Sequence, residues 1–327
     1  MHELPPLPCY LNGAFIELNN AKISVMDRGF IFGDGVYEVV PVYGGQPFRF
    51  EQHMIRLERS LAELRIVNPM SRTEWAAIAS KLIADYSQSA STSDLNSDQI
   101  IYIQVTRGVA MRDPVMPQNI SPTVFVMSNK MSVPSKEERQ HGVACVTTDD
   151  FRWKKAHIKS TSLLGAVLSR QISFDAGATE TVMFRDGYLS EAAASNVWVV
   201  KNGHVFGTPT DHLVLEGIRY GLIEELCQQR GIGFSLQHIS RNEVINADEL
   251  MLSSASKELL AITSLDAQPV GSGRPGPVFE QLYAGYQLAK QSCRSNARLP
   301  LSAVTHQQKV PNDTIRLKIA AGKRWLL

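Results

Sequence analysis

Lys159 stands in the run HIKSTSLLGAVL, just ahead of an apolar helical pattern. A lysine amine is a neutral nucleophile near pH 7 only when partly desolvated or set beside another cation. Lys154 and Lys155 bring charge nearby in sequence, and the following helix brings apolar surroundings. A Schiff-base lysine is one reading; a solvated surface lysine is the other. Glu191 heads EAAASN after a hairpin signal. A carboxylate there, ahead of side chains small enough for a flat ligand to lie on backbone, suits a pyridine nitrogen, which it keeps protonated. Otherwise it is a strand-end carboxylate in water. Arg56 in HMIRLERS offers the fork geometry a phosphate needs, or simply a solvated helix face. Gly217-Ile218-Arg219 opens a helix, and Ser254-Ala255-Ser256 follows a strand. Backbone N–H groups at a helix start attract phosphate, though a glycine there is common. A lysine for an aldehyde, a carboxylate for a ring nitrogen and an arginine with helix-start amides for a phosphate are the parts of a pyridoxal-phosphate site. Periodicity alone does not assemble them.

The elements that must position these residues are legible in part. Asn12-Gly13, Asp186-Gly187 and Asn202-Gly203 each separate two β-rich runs and predict tight hairpins. Val36–Val42 reads as a strand that the Gly44-Gly45 pair then turns. Met54, Leu57, Leu61 and Leu64 fall at three- and four-residue spacing, which predicts a helix over 50–64; 74–86 repeats the pattern. Strands are expected at 99–106, 123–127, 143–147 and 249–253, and helices at 163–176, 218–230 and 279–291. Leu164, Val167, Leu168 and Ile172 share one face of the 163–176 helix, and Gly231 ends the 218–230 helix. The polar run 87–98 reads as a surface loop. The run 128–140, without apolar periodicity, reads as an interdomain linker. The expectation is therefore an α+β chain with mainly antiparallel sheets. It has a small N-terminal domain (1–127), the linker (128–140), a larger domain carrying Lys159 (141–292) and a basic extension (293–327).

The chain has 327 residues, enough for two domains. Lys+Arg is 33 against Asp+Glu 32, so the charge balance gives no reason to expect nucleic acid or a membrane surface as partner. That balance hides a gradient: residues 293–327 sum to +6 and residues 1–292 to −5. Four scattered cysteines without metal-ligand spacing, and a start without a secretory pattern, predict reduced thiols in a cytoplasmic protein with no metal. No apolar run approaches a membrane span.

Seven blocks carry a resemblance. They are DRGFIFGDGVYEVVPVY (27–43), EQHMIRLERS (51–60), IYIQVTRG (101–108), FRWKKAHIKSTSLLGAVLSRQ (151–171), LSEAAASNVWVVKNG (189–203), LEGIR (215–219) and SSASKE (253–258). In this order, across about residues 8–290, the chain resembles the fold-type IV pyridoxal-phosphate enzymes, the class IV aminotransferases. Within them it is most similar to the D-amino-acid transaminases. The resemblance implies that Lys159 bonds the aldehyde of pyridoxal 5′-phosphate and shuttles the substrate proton. It implies that Glu191 meets the ring nitrogen, Leu215 lies under the ring, and Arg56, Gly217, Ile218 and Arg219 with the 254–256 loop hold the phosphate. Ser195 remains from a serine run beside the cofactor. Tyr37 and Arg112 match a trap for the substrate carboxylate. A D-amino acid and a 2-oxo acid are the implied substrates, turned over by ping-pong. A homodimer is implied too, with the loop around Arg112 reaching the partner's site. A branched-chain or amine transaminase, an aminodeoxychorismate lyase and a non-catalytic cofactor-binding protein are the alternatives.

The departures are specific. The threonine expected after Gly-Ile is Arg219, and that of the second phosphate loop is Ala255, flanked by Ser254 and Ser256. Ala193 and Ala194 replace two serines, Pro114 a trap histidine, and Pro41 a lysine. Each lost neutral hydrogen bond costs about 0.5–1.5 kcal/mol, so weaker cofactor retention is expected. Residues 293–327 exceed what the family needs. The run 315–327 has the pattern of a short amphipathic helix, but an extension without catalytic role is the plainer reading.

Overall fold

A computed structural model describes residues 4–89 and 98–295. The chain opens with the hairpin β1 (Pro8–Leu11) and β2 (Ala14–Glu17). Asn12 and Gly13 between them take φ of 47° and 98°, the left-handed pair that matches strand twist. Next come the short helix α1 (Arg28–Phe32), the long strand β3 (Gly35–Tyr43), β4 (Gln46–Pro47), and helices α2 (Phe50–Glu63) and α3 (Arg72–Ser89). Strands β5 (Gln99–Thr106) and β6 (Thr123–Lys130) complete a six-stranded antiparallel sheet of order β2-β1-β6-β5-β3-β4. Helices α2 and α3 cover one face of it, burying Met54, Leu57, Leu61, Trp75 and Leu82 against Val40, Ile101 and Ile103.

The second half holds α4 (Lys136–His141), β7 (Val143–Asp149), α5 (Leu164–Asp175), β8 (Glu180–Arg185), β9 (Tyr188–Ala192), β10 (Asn196–Lys201) and β11 (His204–Gly207). It continues with α6 (Arg219–Arg230), β12 (Phe234–Leu236), α7 (Arg241–Ile245), β13 (Glu249–Ser254), β14 (Glu258–Leu265), β15 (Gln268–Pro269) and α8 (Pro277–Ser295). Its nine strands run β12-β11-β10-β13-β14-β7-β8-β9, with β15 on β14. The β7–β8, β7–β14 and β11–β12 pairs are parallel, so this sheet is mixed, whereas the first is antiparallel throughout. Helices α6 and α8 bury Ile223, Leu226, Leu282 and Tyr286 against Trp198 and Met251. No described helix is long and apolar enough to cross a membrane.

Three readings are corrected. Within 128–140, β6 continues through Lys130 and α4 begins at Lys136. A capping box between Ser135 and Glu138 starts that helix without needing apolar periodicity. Helix α3 extends through Ser87–Ser89, where the Ser87 and Ser89 hydroxyls bond back to carbonyls of the preceding turn; the rest of the expected 87–98 loop, at 90–97, lies outside the described residues. Helix α8 runs to Ser295, into the expected extension, and the 315–327 pattern lies outside the described residues.

The sheets are tied beside Lys159. The Tyr37 N–H donates to the Lys159 carbonyl (3.0 Å), the Thr161 N–H donates to the Gly35 carbonyl (2.9 Å), and Ser160 bridges Val36. Residues 159–161 thus extend the ladder of β3 and fix the lysine's segment, which follows β7 of the second sheet, to the first sheet.

Candidate active site

A cavity of about 1230 Å³ opens at this junction, lined by Tyr37, Arg56, Lys159, Glu191, Ser195, Leu215, Gly217, Ile218, Arg219 and the 254–256 turn. Lys159 is fixed at both peptide groups, its N–H donating to Ser60 Oγ (3.3 Å) and its carbonyl accepting from Tyr37. Its Nζ lies 4.1 Å from the centroid of the Tyr37 ring, a cation–π contact. Lys154 and Lys155 are exposed and lie outside the lining; the cation that lines the cavity from this segment is Arg152.

Glu191 lies near the end of β9 and is buried. One carboxylate oxygen accepts from Arg152 Nη1 (2.7 Å); the other accepts from the Leu215 N–H (3.2 Å) and Asn196 Nδ2 (3.3 Å). Arg152 is held from behind by Asp150 through Nε and Nη2 (2.9 Å each). Burial pushes the Glu191 carboxyl up, against the pull of Arg152 and the Leu215 amide. The sequence does not single out Arg152, Asp150 and Asn196. Asp150 and Arg152 carry only the DFR spacing and the basic run FRWKK, and Asn196 only its place at the end of EAAASN, none of which points to a contact with Glu191. The Ser195 hydroxyl donates to Glu180 (3.2 Å) and accepts from Lys257 (3.3 Å), a pair themselves 2.8 Å apart.

At the other end, helix α2 carries His53 and Arg56 one turn apart. Arg56 grips Glu38 of β3 with Nε (2.7 Å) and Nη2 (2.8 Å) and donates Nη1 to the Glu216 carbonyl (3.1 Å). His53 Nδ1 meets the same carboxylate at 2.7 Å, and its Nε2 is buried without a partner. A Cβ at Gly217 would lie 2.1 Å from Asn196 Oδ1, so a larger residue there would displace the side chain that also holds Glu191. Arg219 opens α6, buried, with its Nε unpartnered. The Lys257 N–H donates to Ser254 Oγ (3.1 Å), closing the turn that carries Ala255 and Ser256. This donor set fits a phosphorylated pyridine aldehyde: cations and helix-start amides for phosphate, Leu215 on the wall, a carboxylate for ring nitrogen, a lysine for the aldehyde. The unpartnered nitrogens of His53 and Arg219 lie at the cationic end.

The expected carboxylate trap is not assembled within one chain. Tyr37 lines the cavity, but Arg112 is exposed and outside the lining, 5.5 Å from the Phe32 ring centroid. Its loop is held by Arg28, which donates to the Asp113 and Pro114 carbonyls and pairs with Asp34 (2.8 Å). The cavity mouth is apolar: Phe30, Phe151, Trp153, Leu164 and Val167 line it and are exposed.

The sequence profile of the family described as Amino-transferase class IV matches residues 35–265. The D-alanine aminotransferase of Bacillus licheniformis is 34% identical over 278 residues, covering 84% of this chain and 94% of that protein. The D-alanine aminotransferase of Staphylococcus aureus (strain MSSA476) is 33% identical over 281 residues, covering 85% and 96%. Among solved structures, the branched-chain amino acid aminotransferase of Escherichia coli aligns with a TM-score of 0.78 at 25% identity, over 85% of this chain and 93% of that one. The branched-chain amino acid aminotransferase of T.th., solved with pyridoxamine 5′-phosphate, aligns with a TM-score of 0.79 at 22% identity, over 89% and 96%. The fold is that of the fold-type IV aminotransferases, as expected from the sequence blocks. The chain belongs to the class IV aminotransferases and is a pyridoxal-phosphate-dependent enzyme of that family.

Proposed function

We propose that this aminotransferase moves the amino group of a D-amino acid to a 2-oxo acid. The observation that carries the reading is the convergence of Lys159, the Glu191–Arg152 pair and Arg56 on one cavity, in a chain a third identical to D-alanine aminotransferases over most of its length. Bound pyridoxal phosphate supplies an aldehyde that takes up the amino group and a ring that draws off the Cα electron pair. Lys159 Nζ holds the aldehyde between turnovers and, once free, removes the proton from the substrate Cα. Its fixed peptide groups keep that amine against the Tyr37 ring. Glu191, oriented by Arg152 and the Leu215 amide, holds a proton at the ring nitrogen. Arg56, Ile218, Ser254 and Ser256 line the phosphate end, Ser195 stiffens the adjoining wall through Glu180, and Tyr37 faces the substrate.

Purified protein given D- and L-amino acids singly tests the substrate class. D-alanine or D-glutamate is expected to yield a 2-oxo acid; transamination of L-leucine with neither D-donor turned over would overturn the reading in favour of a branched-chain enzyme. Lys159→Ala is expected to abolish turnover with either enantiomer.

We also infer a homodimer. Helix α5 turns Ser169 and Ser173 inward and exposes Leu164, Val167 and Phe174 at the cavity mouth that Phe30 and Trp153 also line, with Leu168 exposed beside them. A patch this apolar is costly in water, and a second copy that covered it would bring its own Arg112 loop toward this cavity. Sedimentation at low concentration tests this: Leu164→Asp is expected to give monomer, and a monomeric wild type overturns it. The two sheets then act as two domains divided near 128–140, with α8 packed on the second. Four unpaired cysteines support a cytoplasmic setting.

A further inference from the structure

Arg219 occupies a position where the family resemblance expects a threonine, and what it does there is not a threonine's work. The residue is 2% exposed yet lines the cavity. Its Nη2 donates to the Tyr286 hydroxyl (2.8 Å) and the Ala255 carbonyl (3.3 Å); its guanidinium lies 5.6 and 5.7 Å from the Phe48 and Tyr286 ring centroids. Among the described residues no carboxylate forms an ion pair with it. The neighbouring carboxylates are already engaged. Glu38 is gripped by Arg56 and His53, Glu216 pairs with Arg59 (2.6 Å), and Glu258 pairs with Lys290 and with Arg139 (3.3 Å). Arg219 therefore brings a surplus buried positive charge, with one N–H lacking any acceptor. Burying an unpaired charge is strongly unfavourable, so such a group is retained where an anion arrives to meet it.

Its placement says where that anion sits. Through the Ala255 carbonyl, Arg219 joins the start of α6 to the 254–256 turn, so the two positions that lack threonine hydroxyls lie side by side. Arg56 reaches the same segment through the Glu216 carbonyl, three residues before Arg219. We propose that the Arg219 side chain is a second phosphate-binding guanidinium that takes over from the two absent hydroxyls and makes this end of the cavity a two-arginine oxyanion site. This rests on the reading that the cofactor's phosphate lies at this end. It offsets the expected loss of cofactor retention, because a guanidinium brings a charge to the phosphate where a hydroxyl brings none.

The test uses the full chain stripped of cofactor, with inorganic phosphate as probe and chloride at matched ionic strength as control. Phosphate is expected to raise the melting temperature of the wild type. Arg219→Gln is expected to bind phosphate about ten- to a hundred-fold more weakly and to release pyridoxal phosphate correspondingly faster, while being no less stable than wild type without an anion. Ala255→Thr in that background should recover part of the cofactor retention. Were Arg219 only a brace between Tyr286 and Ala255, the variant would lose stability without anion and keep its phosphate affinity; that result overturns the proposal. Arg219→Lys keeps a charge but not the fork, and is expected to weaken phosphate binding about tenfold. It serves if the glutamine variant does not fold, and unchanged affinity in it is equally fatal. None of these readouts depends on substrate, so a failed D-amino-acid assay would leave the phosphate result standing.

Discussion

Glu38 and Glu191 are both buried carboxylates near the cavity, both paired with an arginine, and their environments drive them in opposite directions. Burial alone would raise the Glu38 carboxyl, but the charge and hydrogen bonds of Arg56, joined by His53, outweigh it and hold the group far below the usual carboxylate range. At Glu191 burial wins. Arg152 offers it a single N–H and spends the others on Asp150, whose own charge opposes ionisation, so the carboxyl is raised. The difference separates scaffold from chemistry. Glu38 is answered in full within the chain and locks α2 onto β3. Glu191 is answered in part, which fits its proposed role of meeting the ring nitrogen of the cofactor.

The largest expected effect is on the scaffold side. Glu38→Ala leaves Arg56 buried without its partner and should cost about 3–5 kcal/mol of folding stability, read by urea denaturation of the full chain. A loss under about 1 kcal/mol would remove the distinction. The converse variant, Glu191→Gln, should not lower stability at neutral pH and should reduce kcat about 10²–10³-fold, the scale of losing one charge interaction made in the transition state. An unchanged kcat would show Glu191 to be scaffold as well. Arg152→Gln should be milder, about tenfold in kcat, because it loosens the orientation of Glu191 without removing it. It also takes away the main opposition to burial, so the acid limb of the kcat/KM profile should move to higher pH. A fixed acid limb would mean that Glu191 does not set it.

The sequence reaches the scaffold further than the site. Hairpins at Asn12-Gly13, Asp186-Gly187 and Asn202-Gly203 are legible because a left-handed residue pair is a local requirement. Helix α2 is legible because its apolar face is covered by its own sheet. Helix α5 shows the same signal and meets the opposite fate: Leu164, Val167 and Leu168 do share a face, but that face is exposed. Periodicity reports that a face exists and is silent on what covers it. Strand β14 (Glu258–Leu265) is not legible, because its first five residues are all buried and show no alternation. Lys159, Glu191 and Arg56 stand out through the family blocks. The residues that set their charge do not, since Arg152 and Glu191 are 39 positions apart and Glu38 and Arg56 are 18 apart, separations fixed by sheet and helix packing rather than by any local period. Arg112 matches the site in sequence, yet one chain does not bring it there.

The smallest expected effect is also the one that sets the two carboxylates against each other most directly. Between the ordinary glutamate value of 4.5 and its raised value in the fold, Glu191 binds a proton in the native chain that the unfolded chain has lost. Its contribution to stability therefore falls as pH rises through that window, and the cost is complete above it. Glu38 runs the other way: its stabilisation is full above 4.5 and is lost as pH falls below. His53, pushed down to about 4 by burial against the pull of Glu38, adds to the acid-side loss, because the unfolded chain takes up a proton from about 6.5 downward while the native imidazole stays neutral. In the cofactor-stripped chain, then, wild type and Glu191→Gln should differ most near neutral pH, with the variant slightly the more stable. The gap should close as pH approaches 4.5, while both proteins weaken together through His53 and Glu38. A gap that widens on acidification would mean that Glu191 is held ionised as firmly as Glu38, and that incomplete charge balance is not what marks the reactive carboxylate.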